Sequence, residues 1–342
     1  MSQESIPEGG RLNRAPGARS IGKVLHAMGV RPRLAVILIP YLWLVFFFLV
    51  PFGIVLKISF AKLAIAQPPF TPLFVCTDTT ITSLWTCFFS GKLDLQPTLA
   101  AYGYLFHEPL YFKAYWNSVQ TAFWSTIFCL LIGYPMAYGM ARSSATVRNA
   151  LLMLIVLPFW TSFLIRVYAW IGLLKTNGVI NNILGSFGIL DLLSWAGIHD
   201  GPLNMMNTQF AVYIGIIYSY LPFMILPLYA NLEKMDLTLL EAANDLGCKP
   251  LKAFFLITVP LSFPGIVAGS MLVFIPAVGE YVIPELLGGS NTVMIGRELY
   301  NVFSQNRDWP SASAIAIMVL VLLVVPITFY QYYQNKESEA GK

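Results

Sequence analysis

The chain has 342 residues, 57% of them hydrophobic and only 11% charged, with a net charge of +4. Soluble domains carry about 25% charged residues, so a water-soluble globular enzyme is excluded. The excess of positive charge is too small to mark a nucleic-acid binder, and long apolar runs point to an integral membrane protein.

Residues 1–33 are basic and precede the first apolar run. Ile21, Val24, Leu25 and Met28 recur at i, i+3, i+4 and i+7, which fits either a short amphipathic helix on the inner membrane surface or an irregular tail. No small-residue cleavage site follows, so the first run is expected to be an uncleaved anchor. GARSIGKV at 17–24 approaches a phosphate-binding loop, but Val24 replaces the metal-binding Ser or Thr and no strand precedes it. Nucleotide hydrolysis by this chain is therefore not expected, nor is any cofactor within it.

Six runs are long enough to span a bilayer: 34–56, 117–141, 150–174, 209–232, 261–279 and 311–332. A hydrocarbon core of roughly 30 Å takes about 20 helical residues, and no run alternates as a barrel strand would. The predicted fold is an all-α membrane protein of six helices, kinked where Pro40, Pro51, Pro135, Pro158, Pro222, Pro227, Pro264, Pro276 and Pro326 fall. With six spans, one side holds 1–33, 142–149, 233–260 and 333–342, and 13 of the 21 Lys and Arg. The opposite segments 57–116, 175–208 and 280–310 are longer and hold 7. This asymmetry places both termini in the cytoplasm.

Four cysteines are present, and Cys76 with Cys87 fall in the first outer segment. An oxidising compartment allows them to pair, although spacing does not decide it. His26, His107 and His199 share no metal spacing, and neither H-E-x-x-H nor G-x-S-x-G occurs. A metal centre and an intramembrane hydrolase are unsupported.

The inner segment 233–260 is unlike the rest. Thr238 and Glu241 have the spacing of a capping box, TLLEAANDL reads as a two-turn helix, and Gly247 supplies the stop. Pro250 then opens a second helix, LKAFFLITV, expected to end at Pro260. Ala242, Ala243 and Gly247 leave a face that another protein can approach closely, and a helix this short needs a supporting surface. An interfacial helix without a partner is the plain alternative.

Glu241, Ala242, Ala243 and Gly247, followed by Ile257, Val259 and Pro260, resemble the cytoplasmic motif of binding-protein-dependent ABC importer permeases. That resemblance implies that the loop docks in a groove of an ATPase subunit, which binds the ATP. LPFWTSFLIRVYAWIGLLKTNGVINN at 157–182, FIPAVGEYVIPELLGGSNTVMIG at 274–296 and NRDWPSASAIAI at 306–317 resemble the polyamine branch of that family, nearest to bacterial putrescine permeases. The resemblance implies a bacterial inner-membrane assembly. This chain would be one of two homologous permeases, joined by two ATPase copies and a periplasmic polyamine-binding protein.

A polyamine needs carboxylates and aromatic faces to offset its desolvation. Glu280, Tyr281 and Glu285 stand at the outer end of the fifth run, where ionisable residues are functional candidates or mark the head-group boundary. Trp160 and Tyr168 offer ring faces or belong to the aromatic belt. Arg166 repels a polyamine and is expected to snorkel or to pair with an acid such as Glu280. Asp308, just before the last run, is placed on the path or on the binding-protein face. Spermidine or another small cation is the alternative substrate. An ion-coupled secondary transporter would call for inverted halves, which the sequence lacks, and a scaffold would leave the inner loop unexplained.

Overall fold

The computed structural model describes residues 32–71, 74–76, 93–95, 97–197 and 201–340. The tail helix expected around Ile21 and the Cys87 partner of Cys76 lie outside the described residues, as do the side chains of strand Phe74–Cys76. The described chain is helical apart from one antiparallel pair, Phe74–Cys76 with Leu93–Leu95, and an isolated bridge between Leu63 and Phe70.

Residues up to Lys57 form one compact unit and residues from Ile58 a second. The described part of the first is essentially a single apolar helix. Pro32–Leu44 continues through a π-turn, Val45–Leu49, into Val50–Ser59. Its large side chains, among them Trp43, Phe46, Phe47 and Phe48, are exposed, as suits a surface immersed in hydrocarbon.

The second unit is built on three helices, Pro109–Ala141, Gln209–Glu233 and Phe263–Val278. Gly265 and Gly269 form a G-x-x-x-G pair facing the Gln209–Glu233 helix. A Cβ on Gly269 would stand 2.8 Å from Met224 Sδ and 3.0 Å from the Met224 carbonyl oxygen. Small residues thus set how closely these two membrane helices approach, since lipid supplies no hydrophobic force between them. Cys129, Ala137, Met224, Ile225, Leu228 and Val273 fill the junction of the three helices. Further cores join Val167 and Leu174 to Ile216, Ile283 and Leu287, and Ala114 to Ile295 and Ile315.

Four helices among the described residues are long and apolar enough to cross a membrane alone: Pro40–Ser59, Pro109–Ala141, Phe163–Ser186 and Gln209–Glu233. A fifth span arises if Pro250–Leu261 and Phe263–Val278, bent by 65°, are counted together. The last run lies in the helix Trp309–Ala340, which continues past the expected end at 332.

The third run departs most from expectation. It is not one helix but two, Ala145–Val156 and Phe163–Leu174, joined by a 3-10 turn at Leu157–Trp160 and extended residues Thr161 and Ser162. The break frees the Pro158 carbonyl, which accepts from the Thr161 N–H (3.2 Å), the Thr161 hydroxyl (2.8 Å) and the Arg166 guanidinium (2.8 Å). A helix can break at membrane depth only where such donors replace the lost ladder. Arg166 also lies over the rings of Phe159 and Phe163. The expected Arg166–Glu280 pair is not formed, because the guanidinium serves its own helix break.

Two π-turns share one cause. Val50 N–H bonds back to Val45, and Val259 N–H to Phe254, each immediately before a proline. Pro51 and Pro260 bring no N–H of their own, and the ladder widens by one residue in the turn before them.

Candidate functional site

The loop 233–260 folds as a helix, a sharp turn and an arm. The helix Thr238–Asp245 contains Glu241 in its first turn. The expected Thr238–Glu241 capping box is not made. Thr238 is already the first helical residue, and its N–H donates to Asp236 Oδ1 at 3.0 Å. Asp236 is the side-chain acceptor at this end, two residues upstream of the helix.

The other end follows the sequence closely. Gly247 has φ +75°, a left-handed conformation that costs other L-residues about 1 kcal/mol or more. Gly247 N–H bonds to the Asn244 carbonyl (2.8 Å) and Cys248 N–H to the Ala243 carbonyl (3.0 Å), the paired bonds of a Schellman stop. Pro250 then begins the arm. Ala243 is buried while Glu241 and Ala242 are exposed, and Leu239, Leu246 and Leu251 project outward, Leu246 with 88% of its surface open. The small residues therefore do two things: Ala243 seats the helix, and Ala242 with Gly247 keeps its outer face low between projecting leucines.

The arm runs from Pro250 through Leu261, one residue beyond the predicted stop at Pro260, and turns by 65° into the fifth span. Phe254 meets Tyr134 and Tyr138 edge-on at 5.6 and 5.7 Å. Arg148 pairs with Glu233 at 2.9 Å, tying the start of the loop to the Ala145–Val156 helix.

The cluster around Glu280 has a different character. Glu280 is buried, with 7% of its surface exposed. Its Oε1 accepts from the backbone N–H groups of Tyr281 (3.2 Å), Val282 (3.0 Å) and Ile283 (3.4 Å). Its Oε2 accepts from the Tyr220 hydroxyl. The carboxylate thus caps the short helix Val282–Leu287 and fastens it to the Gln209–Glu233 helix. Both oxygens are already engaged.

Glu285 is likewise committed. Its Oε2 lies 2.7 Å from Arg297 Nε, a close charge contact without hydrogen-bond alignment, and Arg297 also donates to the Gly289 carbonyl at 3.2 Å. Burial pushes the neighbouring Glu298 carboxyl above the usual carboxylate range, despite Arg297 beside it. Asp308 Oδ1 accepts from Ser311 N–H at 3.1 Å and so caps the last helix. Tyr281 stacks on Tyr300 with centroids 4.3 Å apart. Trp160, 84% exposed, and Tyr168 point away from the core.

Tyr281 donates its N–H to Glu280 and Glu285 follows on the same short helix, whereas among the described residues no hydrogen bond or ion pair links Trp160, Tyr168 or Asp308 to them. Tyr220 and Arg297 are the residues that sequence reading missed. Each partners an acid far along the chain, and no periodic signal links 220 to 280 or 285 to 297. The G-x-x-x-G at 265–269, by contrast, is a local pattern legible in the sequence.

Residues 129–338 match the family model of the binding-protein-dependent transport system inner membrane component. The chain is 39% identical over 294 residues to the spermidine/putrescine transport system permease protein PotB of Haemophilus influenzae, covering 86% of this chain and 91% of that one. Against PotB of Escherichia coli K12 the identity is 40% over 223 residues, 65% of this chain and 78% of the relative. The inner membrane ABC transporter permease protein YdcU of E. coli K12 is 30% identical over 257 residues, 73% and 82% of the two chains. In fold, the chain is similar to a chain of a bacterial ABC transporter involved in the import of the acidic polysaccharide alginate, with TM-score 0.62, 17% identity and coverage of 94% and 99%. The chain is a multi-pass membrane subunit of a transport system, not an enzyme, and it belongs to the family of binding-protein-dependent transport system inner membrane components.

Proposed function

We propose that this chain is the permease subunit of an ATP-driven importer that moves polyamines into a bacterial cell. It crosses the inner membrane six times with both termini in the cytoplasm, beside a second, homologous permease. A periplasmic polyamine-binding protein delivers the substrate to the outer segments 57–116 and 175–208. A dimer of ATPase subunits binds and hydrolyses ATP, and this chain carries no cofactor.

The observation that carries this reading is the loop 233–261. Glu241 and Ala242 stand exposed on a short helix that Gly247 closes, with Leu239, Leu246 and Leu251 also exposed, mounted on an arm that feeds directly into a membrane helix. ATP-driven closure of the ATPases moves this helix, and the arm with Pro260 reorients the spans between outward- and inward-open states. The ATPase acts by binding one state better than the other, as any allosteric partner must.

Putrescine is the substrate we infer from the likeness of residues 157–182 and 274–296 to the polyamine branch. The relatives' name carries spermidine as well, which keeps spermidine as the second reading. Tyr281 on Tyr300, Trp160 and Tyr168 supply ring faces for a cation, whereas Glu280, Glu285 and Asp308 enter the pathway as its frame. Proteoliposomes holding the four-part assembly test both levels. ATP-dependent uptake of putrescine exceeding that of spermidine is expected; absence of uptake of either removes the polyamine reading.

A further inference from the structure

The proposed coupling leaves open how movement of the inner loop reaches the membrane core. Between loop and core stands one elbow, Ser262. It is fully buried and sits at the 65° bend. Pro260 and Pro264 flank it: the Ser262 N–H bonds to the Thr258 carbonyl and the Ile266 N–H to the Ser262 carbonyl, each at 2.9 Å, but Pro264 has no N–H to continue the ladder to Pro260, so side chains add to the backbone at the bend.

These side-chain bonds centre on Ser262. Ser262 Oγ donates to the Val259 carbonyl at 3.0 Å. A serine hydroxyl has one proton, and that bond uses it. The 2.8 Å contact between Ser262 Oγ and the Tyr134 hydroxyl therefore has Tyr134 as donor. A directed chain of bonds runs from Tyr134 to Ser262 to Val259, from the second span across the elbow into the arm. The same Tyr134 ring meets Phe254 edge-on, two turns back along the arm. Tyr134 is 8% exposed, so no water competes freely for its hydroxyl.

We propose that Tyr134 is the positioning residue that transmits movement of the inner loop into the second span, by fixing the elbow at Ser262 while its ring grips Phe254. The inference rests on the importer reading above. Its role is exerted through Ser262 and Phe254. It makes arm and span turn as one body, so that ATP hydrolysis yields transport.

The test compares transport with ATP hydrolysis in the reconstituted assembly, with putrescine as probe. Tyr134→Phe keeps the ring against Phe254 and removes only the hydroxyl. It is expected to lower putrescine moved per ATP hydrolysed by about two- to ten-fold, the range that one net hydrogen bond commands, while the ATPase rate stays near wild type. Ser262→Ala removes that bond together with the one to Val259, so it should lose at least as much, and the double variant should be no worse than Ser262→Ala alone, because Tyr134→Phe then has no further bond to remove. An unchanged ratio in Tyr134→Phe overturns the proposal, as does a fall of uptake and hydrolysis together in proportion to assembled complex. Gly247→Asp is the control for the underlying reading. If it abolishes uptake while Tyr134→Phe changes nothing, only the elbow proposal fails; if Gly247→Asp also transports normally, the coupling reading fails with it.

Discussion

The inner loop turns its distinctive side chains outward, and the Glu280 cluster turns its polar atoms inward. Leu239, Leu246 and Leu251 face away from the chain, while Glu280 places both carboxylate oxygens on donors from within it. Both regions stood out in the sequence for polar residues beside apolar runs. Their difference teaches that a polar residue at a membrane boundary has to be asked where its hydrogen bonds go before it is given a ligand. The loop leaves its leucines uncovered, whereas Glu280 has both carboxylate oxygens engaged within the chain.

The contrast is broken most directly at Gly247. Gly247→Asp forces a side chain onto a φ of +75° and adds charge to the outer face. Uptake should be abolished while the amount of protein in the membrane, read by immunoblot, stays normal. Glu241→Lys, on the exposed first turn, should have the same outcome. Normal uptake in either variant would remove the loop from its coupling role.

At the outer cluster the expected loss is of stability. Glu280→Ala strands the Tyr220 hydroxyl and three backbone N–H groups in a buried site. Thermal unfolding in detergent should reveal a loss of about 2–3 kcal/mol. Glu280→Gln, which keeps one acceptor oxygen, should fall between. A raised KM for putrescine at unchanged melting temperature would restore Glu280 as a substrate ligand and dissolve the contrast.

Gly269→Leu offers a comparison in the core between these two regions. Its side chain would enter the space of Met224, and overpacking should cost about 1–3 kcal/mol in the same melting assay. Arg297→Ala should cost less than about 1 kcal/mol, since the Arg297–Glu285 pair is partly exposed on both sides. The smallest effect belongs to Trp160→Ala. With the ring 84% exposed, the melting temperature should not move, so any loss of uptake would locate Trp160 on a contact outside the chain.

What could be read in advance was local. The two-turn helix, the Gly247 stop, the Pro250 start and the Gln209–Glu233 span all depend on residues within a few positions of one another. The capping box failed even so, because Asp236 lay two residues nearer the chain's approach and took the Thr238 N–H first. In the third run Pro158 marks a kink in the sequence, but that the kink opens into a full break depends on Thr161 and Arg166 reaching the Pro158 carbonyl. Arg166 looked like a charge in search of an acid for the same reason.

The amino-acid sequence by itself determined that this is a membrane protein of long apolar helices, and it shaped the short helix Thr238–Asp245 residue by residue. Hydropathy, proline and a left-handed glycine act over one or two turns, so their effects are written in the order of the residues. Only the tertiary structure decided what the polar residues do. Glu280 with Tyr220, Glu285 with Arg297 and Tyr134 with Ser262 are separated by 60, 12 and 128 positions, and each meets its partner only after the helices pack. In a low-dielectric interior each buried polar atom must find a partner, and the packing of the helices, not the spacing of the residues, determines which one is within reach.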